Sequence, residues 1–341
     1  MRVSDRSTAR NYLKYLNQAQ AAYAKTNEQI ASKNRFTSLS EDVSSGTRVL
    51  RARTDLYKAE KQLSNVKSVN DELSMAEETM TTIQELMVNI STLSVSAMSE
   101  EKGDAARKSI ANEIKSLKDQ ILSLSNTKFG QRYLFGGSNS GMSVPFETNS
   151  DGKLLYNGIA VDSISKDDNG YFYMDSNNVR QTIPANEDVY LDIGLGMRMK
   201  GSQVDDDTGF LVSYSGLDIM GFGTDAETGL PNNIYNLLNE LENNVRTNNQ
   251  DALGNCNTQL TALTDKFRSH LTDIGSKTNF LDTMQTRLQN SADNLETRIF
   301  GLMGTDYKEA STALTMNDYV LKAVLQMGSR ILPTSLMDFL N

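Results

Sequence analysis

The clearest structural signal in this 341-residue sequence lies at residues 260–302, which read LTALTDKFRSHLTDIGSKTNFLDTMQTRLQNSADNLETRIFGL. Apolar residues recur there in steps of three and four, the spacing that lines one side of an α-helix. The pattern predicts a long helical tract that packs in a bundle or coiled coil, with candidate breaks at Gly275, Gly301 and Gly304. The stripe, in which His270 and Lys277 are polar insertions, comprises Leu260, Leu263, Phe267, His270, Ile274, Lys277, Leu281, Met284, Leu288, Ala292, Leu295, Ile299 and Leu302.

Prolines limit how far such helices can extend. The four prolines, at positions 145, 184, 231 and 333, leave residues 1–144 and 232–332 free of proline. A proline in a helix interior costs about 3 kcal/mol or more, so both tracts are predicted to be helical and no long helix is expected to pass a proline. Between them, residues 129–230 hold 15 of the 22 glycines and short alternating apolar runs typical of strands and turns. The sequence predicts a mainly α protein with a mostly β insert.

The first tract predicts two helices joined by a tight connection. A stripe of apolar residues from Leu56 to Ala97 predicts a helix of about 50 residues that ends near Glu101. Asp104 is the predicted N-cap of the next helix, whose apolar residues between positions 110 and 124, extended to Lys128, form a coiled-coil-like seam. The two helices are predicted to form an antiparallel hairpin.

Two further apolar stripes lie at the ends of the chain. The C-terminal helix also carries Tyr319, Ala323 and Leu325 off its main stripe, so it is apolar on more than one face. Pairing of the end helices together with contacts to other subunits is therefore favoured over pairing alone. The candidate contact residues are Tyr12, Leu16, Tyr23 and Ile30 near the N-terminus, and Leu314, Leu321, Val324, Met327, Ile331, Leu336 and Phe339 near the C-terminus.

Composition and charge exclude several classes of protein. Aromatic residues make up only 7%, tryptophan is absent and the mean hydropathy is −0.46, which suits slender helical bundles. The net charge of −9 combines +6 over residues 1–53 with −10 over residues 138–232. The N-terminal cations are spread out, so no nucleic-acid site is expected. No apolar run of 18 residues is present and the N-terminus lacks the apolar core of a signal peptide, so neither membrane insertion nor a cleaved signal is expected.

Residues with catalytic chemistry are scarce. His270 is the sole histidine and Cys256 the sole cysteine, which excludes an HExxH zinc site and an intramolecular disulfide. On one helix these two residues would be about 21 Å apart, too far for proton transfer. The run Asp205-Asp206-Asp207 lacks the alternation of a calcium loop and predicts a solvated turn, and Gly194-Leu195-Gly196 predicts a bend. No enzyme activity, cofactor or metal is expected.

Four segments carry a family resemblance: residues 304–310 (GTDYKEA), 319–340, 1–4 (MRVS, followed by a glutamine-rich helix) and 129–137 (FGQRYLFGG). Together they resemble the flagellin superfamily, and within it the hook-associated proteins that join hook to filament. The resemblance covers the whole chain, but the acidic middle module resembles the family only in position and size.

The resemblance implies an elongated architecture in three parts. These are terminal axial-core helices at 1–33 and 291–341, a helical bundle at 34–137 and 231–290, and an acidic, mostly β surface domain at 138–230. It implies a ring of identical subunits at the hook–filament junction, in contact with the preceding junction protein and with flagellin. It also implies an export chaperone and secretion through the flagellar channel.

The sequence departs from the family pattern in one connector. Residues 39–43 (LSEDV) stand where the family has a proline-flanked segment, and Ser40 is predicted to cap the following helix.

The resemblance leaves alternative functions open. A short flagellin that forms the filament itself is the main alternative. An enzyme carried by the middle module and a non-flagellar coiled-coil adaptor are two others.

Overall fold

The structure is a computed structural model that describes residues 2–99, 103–137, 144–167, 170–183, 189–201, 203–205 and 208–337. The chain divides into two compact units, one combining residues 1–60 with 289–341 and the other comprising residues 61–288. Two long helices, α2 (Val43–Ala97) and α6 (Gln250–Met303), contribute residues to both units. The bounds of the three predicted domains stay a prediction.

The first unit contains both ends of the chain. It holds α1 (Arg2–Ser32), α7 (Tyr307–Met337), the start of α2 and the end of α6. Helices α1 and α7 pack side by side. A small apolar cluster of Phe36, Val49 and Met303 lies where the connector between α1 and α2 meets the end of α6. The predicted meeting of the two chain ends is confirmed.

The second unit is built on four helices that share one core. Helices α3 (Asp104–Ser125) and α5 (Ile234–Thr247) pack on each other and join α2 and α6 in a common apolar cluster. The apolar residues at three- and four-residue steps supply that core, because those steps bring them to one side of each helix. Fully buried members are Met80, Ile83, Met87 and Ile90 of α2, Ile114 and Ile121 of α3, Leu237, Leu238 and Leu241 of α5, and Ile274 of α6.

The β insert consists of small antiparallel sheets. Two sheets have three strands, one in the order β3 (Phe146–Thr148), β4 (Leu154–Tyr156), β5 (Ile159–Ala160) and the other in the order β6 (Ile164–Asp167), β7 (Gly170–Met174), β8 (Arg180–Thr182). The two-stranded pairs are β1 (Lys128–Phe129) with β2 (Arg132–Tyr133), β9 (Tyr190–Leu191) with β12 (Phe210–Leu211), β10 (Met199–Lys200) with β11 (Gln203–Val204), and β13 (Gly221–Thr224) with β14 (Pro231–Asn233). A 3-10 turn (Val161–Ser163) and the short helix α4 (Gly216–Met220) complete the insert.

The insert packs directly on the helices. Phe146, Leu154 and Tyr156 are almost fully buried and belong to the same cluster as the core of the four helices. Asn157 and Gly158 both have positive φ, 50° and 83°, which allows the two-residue turn between β4 and β5. The first β sheet and the helices therefore share one core.

A buried polar network ties the insert to α5. One carboxylate oxygen of Asp162 accepts hydrogen bonds from the side-chain amides of Asn233 (2.7 Å) and Asn236 (2.9 Å). The Asn236 amide oxygen accepts from the backbone N–H of Leu154 at 2.9 Å, and the Asn233 side chain accepts from the backbone N–H of Asn236, which caps α5. These bonds fix strand β4, the 3-10 turn and the start of α5 to one another.

A second network joins α3 to α5. The buried Lys118 ammonium lies 2.9 Å from a Glu242 carboxylate oxygen and hydrogen-bonds the Asn239 amide oxygen, while Arg246 donates to the other Glu242 oxygen at 2.9 Å. Burial alone would raise the pKa of Glu242, but the hydrogen bonds from Lys118 and Arg246 outweigh it and hold that pKa below its ordinary value. Glu242 therefore carries its charge inside the bundle.

The structure corrects several predicted helix ends. Helix α6 runs through Gly275 and Gly301 without a break, and only Gly304 lies at its end, because a single glycine costs about 1 kcal/mol and packing outweighs that. Helix α7 continues past Pro333 to Met337, so the expectation that helices stop at proline was wrong there. Proline makes a helix interior costly but does not forbid it.

Three local predictions in the first tract were also wrong. The cap of α2 is Asp42, whose carboxylate accepts from the backbone N–H of Ser45 at 2.9 Å, and not the predicted Ser40. Asp104 is the first residue of α3, and the N-cap position belongs to Gly103, which has no side chain to cap with. Lys128 lies in strand β1 and not in a helical seam.

Candidate assembly interface

Helices α1 and α7 form an antiparallel pair whose contacts can be followed along its length. Near one end the Tyr12 ring packs on Gly328, where an added Cβ would lie only 2.0 Å from the Tyr12 hydroxyl. In the middle the Asn317 side-chain amide donates to the Thr26 hydroxyl at 2.8 Å. At the other end the backbone N–H of Thr305 donates to the carbonyl of Lys33 at 3.0 Å. Glycine at position 328 allows the two helices to approach closely.

Most of the predicted contact residues lie on the faces that α1 and α7 turn towards each other. Leu314, Leu321 and Val324 stand three or four residues from Asn317 and Gly328, so they share the α7 face that contacts α1. All three are half-buried, as are Leu16, Tyr23 and Ile30 of α1, and Tyr12 is buried. The predicted stripes therefore meet within one chain. Whether they also contact other subunits stays a prediction.

Met327 lies elsewhere. Its side chain is 58% exposed, so it faces away from α1. The side chains of Ile331 and Leu336, and all of Phe339, fall outside the described residues.

The outer side of α7 carries a second apolar stripe. Met316, Val320, Ala323 and Met327 follow one another in steps of four, three and four, which places them along one flank of the helix. Met316 is 64% exposed, and Tyr319 beside this stripe is 72% exposed. The sequence pointed to apolar residues off the main stripe at Tyr319, Ala323 and Leu325, but missed Met316 and Val320. Their four-residue step was the available signal.

The connector between α1 and α2 is held to the end of α6 by Arg35. Its backbone N–H donates to the Met303 carbonyl at 2.7 Å, and its guanidinium donates to Asp42 at 2.9 Å and to the Leu302 carbonyl at 3.4 Å. Hydrogen bonds from Ser45, assisted by the charge of Arg35, hold the pKa of Asp42 below its ordinary value. These contacts define the path of the connector that the sequence left open.

The two residues with catalytic chemistry, Cys256 and His270, lie in helix α6. Cys256 is fully buried and accepts a hydrogen bond from the Asn244 amide at 3.6 Å, as expected of a packing residue. Burial raises the pKa of its thiol. His270 is a half-buried residue of α6. Among the residues that the structure describes, no three His, Cys, Asp or Glu side chains come together as a metal site, and no helix is long and apolar enough to cross a membrane.

The comparison with protein families identifies the N-terminal part of the chain. Residues 3–140 match the model of the bacterial flagellin N-terminal helical region. The match covers α1, α2, α3 and the β1–β2 hairpin. Over these residues the chain is similar to bacterial flagellin. The resemblance to flagellin that the sequence predicts is therefore confirmed.

Solved structures show a matching fold. A protein from Vibrio parahaemolyticus, provisionally named a flagellar hook-associated protein, aligns at a TM-score of 0.58 and 16% identity, over 77% of this chain and 99% of its own. At this identity the likeness shows the fold, and it confirms the predicted flagellin-like helical architecture with a central β insert. FlgL of Bacillus cereus (TM-score 0.48, 19% identity, 74% of this chain and 99% of its own) and the flagellar junction protein FlgL of Legionella pneumophila (0.45, 13%, 69% and 99%) are also similar. No curated protein matches the sequence.

Proposed function

We propose that this protein is a structural subunit of the bacterial flagellum at the junction between hook and filament. The proposal rests on one observation: helices α1 and α7 pair with each other and leave an apolar flank of α7 exposed. The same chain has an N-terminal region that matches the flagellin model. Exposed apolar stripes of this kind are typical of surfaces that bind other proteins. The segments 337–340 (MDFL) and 132–137 (RYLFGG) favour a junction protein over a filament subunit.

The proposed partners follow from this position. Copies of the chain associate into a ring, which contacts the preceding hook-associated protein on one side and flagellin on the other. An export chaperone holds the chain before secretion through the flagellar channel. The proposed contact residues are those of the α1–α7 pair, with Met327 and the outer stripe of α7 available to neighbouring subunits. The role is mechanical and involves no catalysis.

The proposed domain roles keep the three-part division. Residues 1–33 and 291–341 form the axial core, residues 34–137 and 231–290 form the bundle, and residues 138–230 lie at the surface. The acidic charge of the last part supports a solvent-facing position, since charged side chains are costly to bury.

A deletion strain tests the proposal. Cells that lack this chain are expected to assemble hooks and to release flagellin into the medium, because filament subunits have nothing to assemble on. Re-expression of the chain should restore filaments. Normal filaments in the deletion strain would overturn the proposal and favour the adaptor alternative. Loss of the filament protein itself would favour the short-flagellin alternative.

A further inference from the structure

One stretch of the α2–α6 pair is covered by β structure and not by helices. The apolar cluster there contains no described residue of α3 or α5, which cover the other part of the pair. Its third side is closed by three residues of the β insert. The cluster comprises Leu63, Val66, Val69 and Leu73 of α2, Leu281, Met284 and Leu288 of α6, and Ile193, Phe210 and Val212 of the insert.

Ile193 is the centre of this cover. Its side chain is fully buried, although its neighbour Leu195 is 39% exposed. The backbone beside it comes so close to α2 that a Cβ on Gly194 would lie 3.1 Å from the Gln62 side-chain oxygen, and Gly194 has a φ of 91°. The Asn65 side-chain amide also donates to the Asp192 carbonyl at 3.4 Å. Glycine at 194 therefore permits Ile193 to enter the cluster.

Strands β9 and β12 pair as a two-stranded hairpin, and two ring contacts attach β12 and the residues just after it to α6. Phe210 of β12 stacks on Phe280 of α6 with ring centroids 6.1 Å apart and an angle of 8° between the planes. The Lys277 ammonium lies 4.8 Å from the centre of the Tyr214 ring. The segments that contain β9 and β12 are thus both attached to the helix pair by side chains.

We propose that this hairpin is a releasable clip that stiffens the α2–α6 pair over residues 61–73 and 281–288. The clip consists of β9 and β12 with Ile193 beside them. Its strands are two residues long, and an isolated two-stranded hairpin is marginal in water, so the clip is ordered only while it is docked. The helix pair in turn has no other described cover for its apolar cluster.

Opening of the clip is therefore a local event. It breaks few backbone hydrogen bonds and leaves the four-helix core intact, which is the pattern of sub-global opening in native proteins. With the clip open, the two helices lose the third side of their core and can bend there. The proposal goes beyond the flagellar role and does not depend on where the protein assembles.

Hydrogen exchange of the full-length monomer, followed by mass spectrometry, tests the clip with a matched pair of glycines. Gly194 and Gly196 both have positive φ, 91° and 76°, so Gly194→Ala and Gly196→Ala carry the same kind of backbone strain. Only position 194 crowds a neighbour, because nothing lies within 4 Å of a Cβ at position 196. Gly194→Ala is expected to speed exchange at 61–73 and 281–288 by about 10-fold relative to Gly196→Ala, with 234–247 unchanged.

A second pair of variants tests the apolar contact itself. Ile193→Ala is expected to speed exchange in the same two segments by at least about 30-fold, while Leu195→Ala has no effect there. If Ile193→Ala speeds exchange equally in 234–247, Ile193 belongs to the global core and the clip proposal is wrong. Unchanged exchange at 61–73 in both Gly194→Ala and Ile193→Ala would also overturn it. If Ile193→Ala does not fold, the glycine pair decides the outcome.

Discussion

Asp162 is partly exposed, but loss of its carboxylate should destabilise the second unit more than this exposure suggests. Asp162→Ala removes the acceptor for the side-chain amides of Asn233 and Asn236, which are 0% and 3% exposed. A buried donor left without a partner costs about 1–3 kcal/mol, so two such donors predict a loss of about 2–6 kcal/mol in the free energy of unfolding. The network that joins β4 to α5 would lose its centre.

The same carboxylate also makes an ion pair that provides the control. The Lys153 ammonium lies 3.5 Å from Asp162, but the Lys153 side chain is 60% exposed, and exposed pairs contribute only about 0–1 kcal/mol. Lys153→Ala should therefore cost less than about 1 kcal/mol. Asp162→Asn keeps an acceptor oxygen and should fall between the two alanine variants.

Urea unfolding of the purified monomer, followed by circular dichroism at 222 nm, measures these differences; tryptophan fluorescence cannot serve because the chain has no tryptophan. The reasoning would be refuted if Asp162→Ala lowered the free energy of unfolding no more than Lys153→Ala does. The side-chain amides of Asn233 and Asn236 would then have found other acceptors.

Three further predictions concern charge and helix packing. The pKa of Glu242 is lowered in the folded state, so its contribution to stability is complete above its ordinary pKa of 4.5 and is lost as the pH falls through the folded-state pKa. Glu242→Gln should therefore make the free energy of unfolding, measured by urea titration, less dependent on pH in that range. Met316→Asp should leave monomer unfolding unchanged but abolish filament attachment, whereas Thr315→Asp, also at an exposed position, should retain it; loss of attachment in both variants would contradict a role for the outer stripe. Gly328→Ala should weaken α1–α7 pairing by about 1–3 kcal/mol, because the added Cβ would collide with the Tyr12 side chain. Hydrogen exchange in α1 should then become faster, and unchanged exchange would contradict the prediction.

The helical half of the fold follows from spacing alone. The seven-residue and three- or four-residue steps of α2, α3 and α6 identify the buried residues because each helix has one apolar side. Helix ends were predicted less well. Gly275 and Gly301 looked like breaks, yet the packing of α6 outweighs the small cost of glycine within a helix. Asp42 was passed over for Ser40 because both can cap a helix and only the chain path decides between them.

The insert shows where sequence reasoning stops. Its strands are two to five residues long, so alternation within each is too brief to fix pairing or register. The burial of Ile193 between two distant helices depends on a close approach at Gly194 that no local pattern announces. The interface was predicted in part: the stripes of α1 and α7 were found, but which side of α7 meets α1 is set by contacts such as that of Asn317 with Thr26.

The position of the protein on the flagellum tests the central claim most directly. Gold-labelled antibody against this chain, viewed by electron microscopy on intact flagella, should mark a single narrow band where the hook ends and the filament begins. Labelling along the whole filament would contradict the junction role and identify a filament subunit, and flagella without label would contradict a flagellar position.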